Sequence, residues 1–209
     1  LTGFGSSWSQ DPPKFANVIL FYGTETTSFS KTAILNWHGW NHYRTSVLLE
    51  NECLIVFDCA KGNQPRTVAI AWNLKGRANE EAQRIRLTQG NYSLVVSYPH
   101  AEDWYIPQIS YVEKIHQFAG DPHQPDINFY MLSKGKSDVG FITVFYPDET
   151  DSQFEVSRIE VNDDWNRSAY PFALGLQIVK PGEVKIIGAS FGNGPFVFND
   201  VRTDAEVFV

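Results

Sequence analysis

The sequence predicts an all-β protein, a large antiparallel two-sheet β-sandwich of about fourteen strands. Three observations point there. Short apolar or alternating segments recur along the chain, divided by turn-forming stretches such as KGKSDVG, PDETDS, NDDWNRS and KPGE, the rhythm of a sandwich or barrel. Helical periodicity is nearly absent, so the crossover helices that a parallel sheet needs are missing. Finally, His42 to Gly62, HYRTSVLLENECLIVFDCAKG, reads as a hairpin about the polar triplet Glu50, Asn51 and Glu52. Its second strand is apolar at nearly every position from Cys53 to Phe57, which places it mid-sheet with both faces covered.

The chain in order supports this. Leu1 to Pro13, rich in Gly, Ser and Pro, is an irregular lead-in to a single domain covering residues 1–209. Strands are expected over Lys14 to Gly23 and Thr27 to Asn36, followed by WHGWNHYR, an aromatic and histidine-dense loop before the central hairpin. Lys61 to Pro65 reads as a turn, Arg66 to Leu74 as a strand, and Gly76 to Arg84 as the one helical candidate, though without an apolar stripe, with a charged turn as its alternative. Further strands follow at Tyr92 to Tyr98 and at Trp104 to Val112, where Pro107 implies an edge. The second half continues with Ile127 to Leu132, Val139 to Tyr146, Phe154 to Val161, Phe172 to Val179, Glu183 to Ser190, Pro195 to Phe198 and Ala205 to Val209.

Composition narrows the partners. A net charge of −7 with no basic run argues against nucleic acid and against an anionic membrane. No apolar stretch approaches the roughly 20 residues of a membrane span, and no signal peptide opens the chain. A first residue of Leu1 rather than Met suggests a processed protein or an excised domain. The aromatic share of 14% suits both pleated sheets and sugar-stacking surfaces. Cys53 and Cys59 are the only cysteines. On one extended strand they stand roughly 20 Å apart, too far for a disulfide, and are expected as buried free thiols.

No Walker loop, dinucleotide fingerprint, HExxH helix or GxSxG elbow is present, and GASFGNGP lies between strands, away from any helix N-terminus. The constellation that carries chemistry is His38, Trp40, His42, Tyr43 and Arg44. A histidine can act as base or neutralise a carboxylate, an arginine can pair with a carboxylate, and Trp or Tyr can face a sugar ring. Proton abstraction α to a uronate carboxylate needs such a base beside a cation that stabilises the enolate-like intermediate. The competing reading is a strand end with a half-exposed histidine and a snorkelling arginine. Pairing about the 50–52 turn sets residues whose numbers sum to roughly 102 opposite each other, so His42 faces Ala60 and Arg44 faces Asp58 as an ion pair. His42 and Asp58 would also meet there.

No metal or other cofactor is expected. Zinc on His42, Asp58 and a third ligand lacks a short ligand pair, and the acidic cluster Asp148, Glu149 and Asp151 reads as a solvated turn, with calcium as its alternative. His100, His116 and His123 read as surface histidines, and Asp103, Trp104 and Tyr105 as a possible groove lining.

The segments HYRTSVLL, CLIVFDCAKG, AIAWNL, GFITVFYPD and the closing VRTDAEVFV, in this order, resemble the C-terminal β-sandwich of the heparinase II/III-like polysaccharide lyases. That resemblance implies a supersandwich-like fold, a uronate-containing polysaccharide as partner, a preceding α/α-toroid domain, and a periplasmic or secreted location. In that family the toroid normally supplies the tyrosine base and the sandwich adds a histidine, which His42 matches. Arg44 is its catalytic companion in this reading, with His38, Trp40, Tyr43, Trp104 and Tyr105 as substrate-binding residues. The chain departs from the pattern in having no toroid and in placing Trp72 and Asn73 where many relatives carry histidine, so little turnover is expected from it alone. The alternative is a non-catalytic carbohydrate-binding or structural module with Trp40, Trp104 and Trp165 exposed.

Overall fold

The computed structural model describes residues 16–49, 52–100, 106–111, 127–149 and 154–209. Among these are sixteen strands and no α-helix. The largest sheet holds β1 (Asn17–Gly23), β2 (Thr27–Trp37), β3 (Trp40–Leu49), β4 (Cys53–Leu74), β9 (Ile127–Pro147), β7 (Tyr92–Ser97), β6 (Arg84–Gln89) and β5 (Arg77–Glu81) in that spatial order, with β8 (Ile106–Tyr111) also on β9. A second sheet joins β10 (Glu155–Ile159), β12 (Ala173–Lys180), β13 (Glu183–Ser190) and β16 (Val207–Phe208). A third joins β11 (Val161–Asp163), β14 (Phe196–Phe198) and β15 (Val201–Thr203). All pairings are antiparallel. The all-β sandwich is as the sequence predicts, with one small sheet more than the two expected.

Four segments differ from the sequence reading. Gly76 to Arg84 is no helix: β5 and β6 form a tight hairpin there, because a segment without an apolar stripe has nothing to hold it as a helix. The Lys61 to Pro65 turn lies inside the continuous strand β4, and KGKSDVG lies inside β9. The ladder between these strands runs from Leu54 opposite Phe145 to Leu74 opposite Ile127, shifting register only between Lys61 and Val68. Both turn-like segments therefore sit across from each other and bend together, so the ladder turns without breaking. The supposed aromatic loop is likewise a tight hairpin: Trp37 pairs with Trp40, and His38 and Gly39 take φ of 51° and 81°, the two positive values that a primed two-residue turn requires.

Alternation along the long strands builds two cores on opposite faces. Ile55, Phe57, Cys59, Ile142 and Val144 face the second sheet, where Leu174, Leu176, Ile178 and Ile187 meet them. Ala60, Ile70, Phe129, Met131, Val139 and Phe141 lie on the other face, covered by Ile85 and Leu87 of β6 and by Val96. Both cysteines are free and buried as expected, and burial pushes each thiol up to about 12. Two ionic clamps cross the layers. Lys31, buried on β2, donates to the Ser190 carbonyl and pairs with Glu206, and Glu52 beyond β3 receives Lys180 and Lys185.

A third core holds the small sheet against the outer face of the second. Gly175 and Gly188 are directly opposed in the β12–β13 ladder, and Phe198 lies against both positions. A Cβ on Gly188 would stand 2.2 Å from the Phe208 ring and 2.6 Å from that of Phe198. Gly188→Ala should therefore cost about 1–3 kcal/mol through overpacking. Urea unfolding checks this, and an unchanged midpoint would show that the rings are not seated on the glycines.

Candidate functional site

The site begins with register. β3 and β4 pair so that His42 faces Ala60 and Arg44 faces Asp58, as the turn-centred count predicts. His42, Arg44, Asp58 and Ala60 thus share the face that carries the second core. The bend then brings the far half of β4 over them. Fourteen residues of straight strand from Asp58 to Trp72 would span roughly 45 Å, yet the Trp72 ring lies 4.7 Å from the Arg44 guanidinium carbon. The Trp72 indole N–H donates to Thr143 Oγ1 at 3.2 Å, and its ring meets Phe145 edge-on.

Asp58 is fully buried beneath this lid. Its Oδ1 accepts from His42 Nε2 and from Arg44 Nε, both at 2.7 Å, and its Oδ2 accepts from Arg44 Nη2 at 3.1 Å. Burial alone would raise its pKa, but the His42 hydrogen bond, with the charge and hydrogen bonds of Arg44, outweighs burial and holds the carboxyl below the usual range. An ionised carboxylate only accepts, so Nε2 of His42 carries a proton. The tautomer is thereby set, and the neutral ring presents the Nδ1 lone pair. His42 and Arg44 are 29% and 32% exposed at their side chains, so both reach solvent from an anchored base.

Both open into a groove of about 620 Å³ lined by Trp37, His38, Trp40, Arg66, Val68 and Ile70 among others. The groove runs beside the half of β4 from Arg66 to Leu74, whose second edge carries no strand among the described residues. Trp40 lies flat on Gly62, where a Cβ would approach its ring to 2.5 Å. Three arginine or histidine side chains besides His42 therefore meet two indoles in one concavity. It can receive an anionic, ring-shaped ligand, with His42 Nδ1 able to take or share a proton and Arg44 and Arg66 supplying positive charge.

Not every predicted residue is here. His38, Trp40, His42 and Arg44 converge, but Tyr43 points to the opposite face, packing on Phe191 and under Lys61, because adjacent strand residues alternate sides. That alternation was readable from the sequence. Trp104 and Tyr105, with Asp103, His116, His123 and Asp151, lie outside the described residues. Trp165 is 77% exposed in the turn after β11 and lines neither this groove nor Tyr43's surroundings. The sequence reading missed Arg66, which no motif marks, and took Trp72 only as a departure, whereas it is the lid on Arg44. Asp148 pairs with Arg86, and among the described residues no three His, Cys, Asp or Glu side chains lie close enough to hold a metal ion.

No known family description matches the sequence, and no curated protein matches it. The solved structures do. Heparan sulfate lyase HepC from Pedobacter heparinus superposes with a TM-score of 0.62 at 12% identity, over 84% of this chain and 28% of that one. A heparinase III gene product gives 0.61 at 13% identity, over 84% and 27%. The chain shares its fold with part of a heparan sulfate lyase. It spans little more than a quarter of the length of those chains.

The depressed Asp58 pKa gives a signed pH dependence. Its stabilisation is fully present above the unfolded carboxylate value of about 3.9 and is lost as pH falls through the lower folded value. Asp58→Asn should cost roughly 3 kcal/mol at pH 7, the low end for a broken buried pair because the Arg44 partner is partly solvated. The gap between wild type and variant should narrow below about pH 4. Urea unfolding at pH 7 and pH 3 measures it, and equal gaps at both would mean that Asp58 is not a paired anion in the fold.

Proposed function

We propose that this chain is the β-sandwich module of a polysaccharide lyase that cleaves uronate-containing polysaccharide by β-elimination. The observation that carries the proposal is the Asp58-anchored pair of His42 and Arg44 opening into an indole-lined, cationic groove. The fold shared with part of the heparan sulfate lyases supports it. In the reaction the C5 proton of a uronate leaves, the C4–O bond breaks, and the product carries a new C4–C5 double bond while the departing oxygen is protonated. The developing negative charge spreads onto the carboxylate, where nearby cations stabilise it. Arg44 and Arg66 supply that charge, and His42 Nδ1 faces the reacting sugar as the base. Trp37 and Trp40 provide ring-stacking faces.

The module binds polysaccharide and contributes His42, while a preceding α/α-toroid domain completes the cleft, in a periplasmic or secreted protein. Two features support a larger assembly. Relatives in fold are about three times as long, and β1 exposes Val18, Ile19, Leu20, Phe21 and Tyr22 along its whole length, an apolar surface of the kind that another domain covers. The alternative, a carbohydrate-binding module without turnover, is favoured by the placement of Trp37 and Trp40 at the groove.

His42→Ala in the longest natural polypeptide tests the lyase reading, with heparan sulfate, hyaluronan and alginate as substrates and the ultraviolet absorbance of the unsaturated product as signal. A loss of about 100-fold or more in kcat is expected from removing a proton-transfer group. Unchanged turnover would remove His42 from the mechanism.

A further inference from the structure

On the opposite face of β3, a second groove of about 780 Å³ lies between Tyr43 and Lys61 of the large sheet and the turns that carry Arg167, Phe172, Phe191 and Asn193. Lys61 is its unusual member. Its ammonium donates to the Phe191 carbonyl at 2.6 Å and stands over the rings of Phe172 at 4.5 Å and Tyr43 at 5.4 Å. The other lysines held between the layers are matched by carboxylates: Lys31 by Glu206, and Lys180 and Lys185 by Glu52. Lys61 forms no ion pair among the described residues: Asp138 stands opposite it in the β4–β9 ladder without a salt bridge to it, and the Asp163 carboxylate at the groove is held by Arg167. A half-buried cation framed by aromatic faces, with two N–H groups left after the Phe191 carbonyl, is matched by an anion presented on a flat apolar body. Phe172 is 37% exposed at the rim, and the Asn193 and Ser168 side chains beside it are exposed polar groups suited to hydroxyls.

We propose that this groove is a second, non-catalytic glycan site, in which the Lys61 ammonium pairs with a uronate carboxylate while Phe172 and Tyr43 pack against the sugar ring. The ligand class rests on the lyase-module reading. The site itself does not use the His42 groove, from which the sheet separates it. It holds a uronate-bearing stretch of the polysaccharide apart from the stretch that lies along Trp40 and Arg66.

Titration of the isotopically labelled chain with an unsulfated tetrasaccharide of alternating glucuronate and N-acetylglucosamine tests this by NMR. The Ser168, Gly192 and Asn193 amides report on the second groove, and the Trp37 and Trp40 indole N–H signals report on the first. Both sets should shift. Lys61→Gln, which keeps a donor for the Phe191 carbonyl, should weaken the amide-reported binding at least tenfold and leave the indole-reported binding within twofold. Phe172→Ala, an exposed position, should do the same, and the carboxyl-reduced tetrasaccharide should lose the amide shifts. Indole shifts without amide shifts would overturn the second site while leaving the lyase reading intact. Amide shifts alone would support the second site and count against the His42 groove. Amide shifts indifferent to Lys61→Gln and to carboxyl reduction, or no shifts in either set, would overturn the proposal.

Discussion

The bend in the β4–β9 ladder is the constraint on which the rest depends. Two strands of 22 and 21 residues stay hydrogen-bonded to each other on both sides of a register shift, so neither can fold back without the other. A straight ladder of that length would leave Phe129, Met131 and Ile70 on a solvent-facing sheet surface. Folded, it encloses them against Phe141, Val139 and Ala60. Burying five or six such side chains at about 1.5–3 kcal/mol each outweighs the few ladder hydrogen bonds lost at the bulge, each worth about 1 kcal/mol net.

The same bend makes the site. Asp58 belongs to the near half of the ladder, and it would be an exposed cross-strand partner of Arg44 if Trp72 of the far half did not close over it. Burial makes an unpaired carboxylate costly, so Arg44 and His42 are held to it more firmly than a surface pair would be. In turn the two side chains cannot wander, and their exposed edges face the groove in fixed orientation. Packing thus supplies what the chemistry needs, a histidine with a set tautomer beside a fixed positive charge.

Much of this was legible in the sequence, for reasons that particular residues show. The β3–β4 register followed from a single polar triplet between two apolar runs, and with it the Arg44–Asp58 pair, the His42–Asp58 contact and the free state of Cys53 and Cys59. What stayed hidden required three dimensions. KGNQP and KGKSDVG each carry turn chemistry, and nothing local says that they lie opposite each other and bend one ladder instead of ending four strands. Trp72 could not be recognised as a partner of Arg44 until the bend was known. Tyr43, in contrast, was misplaced despite a readable signal, since period-two alternation separates it from its neighbours His42 and Arg44.

The two grooves on opposite faces of β3 are consequences of that alternation, and they divide residues that a list of aromatic and basic side chains would merge. The chemistry of the first groove stands on Asp58 fixing the His42 ring. Long-range proton–nitrogen NMR of the imidazole tests this directly. The neutral ring should show a protonated, pyrrole-type Nε2 and a pyridine-type Nδ1, and Asp58→Asn should relax that preference. An Nδ1-protonated ring, or two tautomers in rapid average in the unaltered chain, would contradict it.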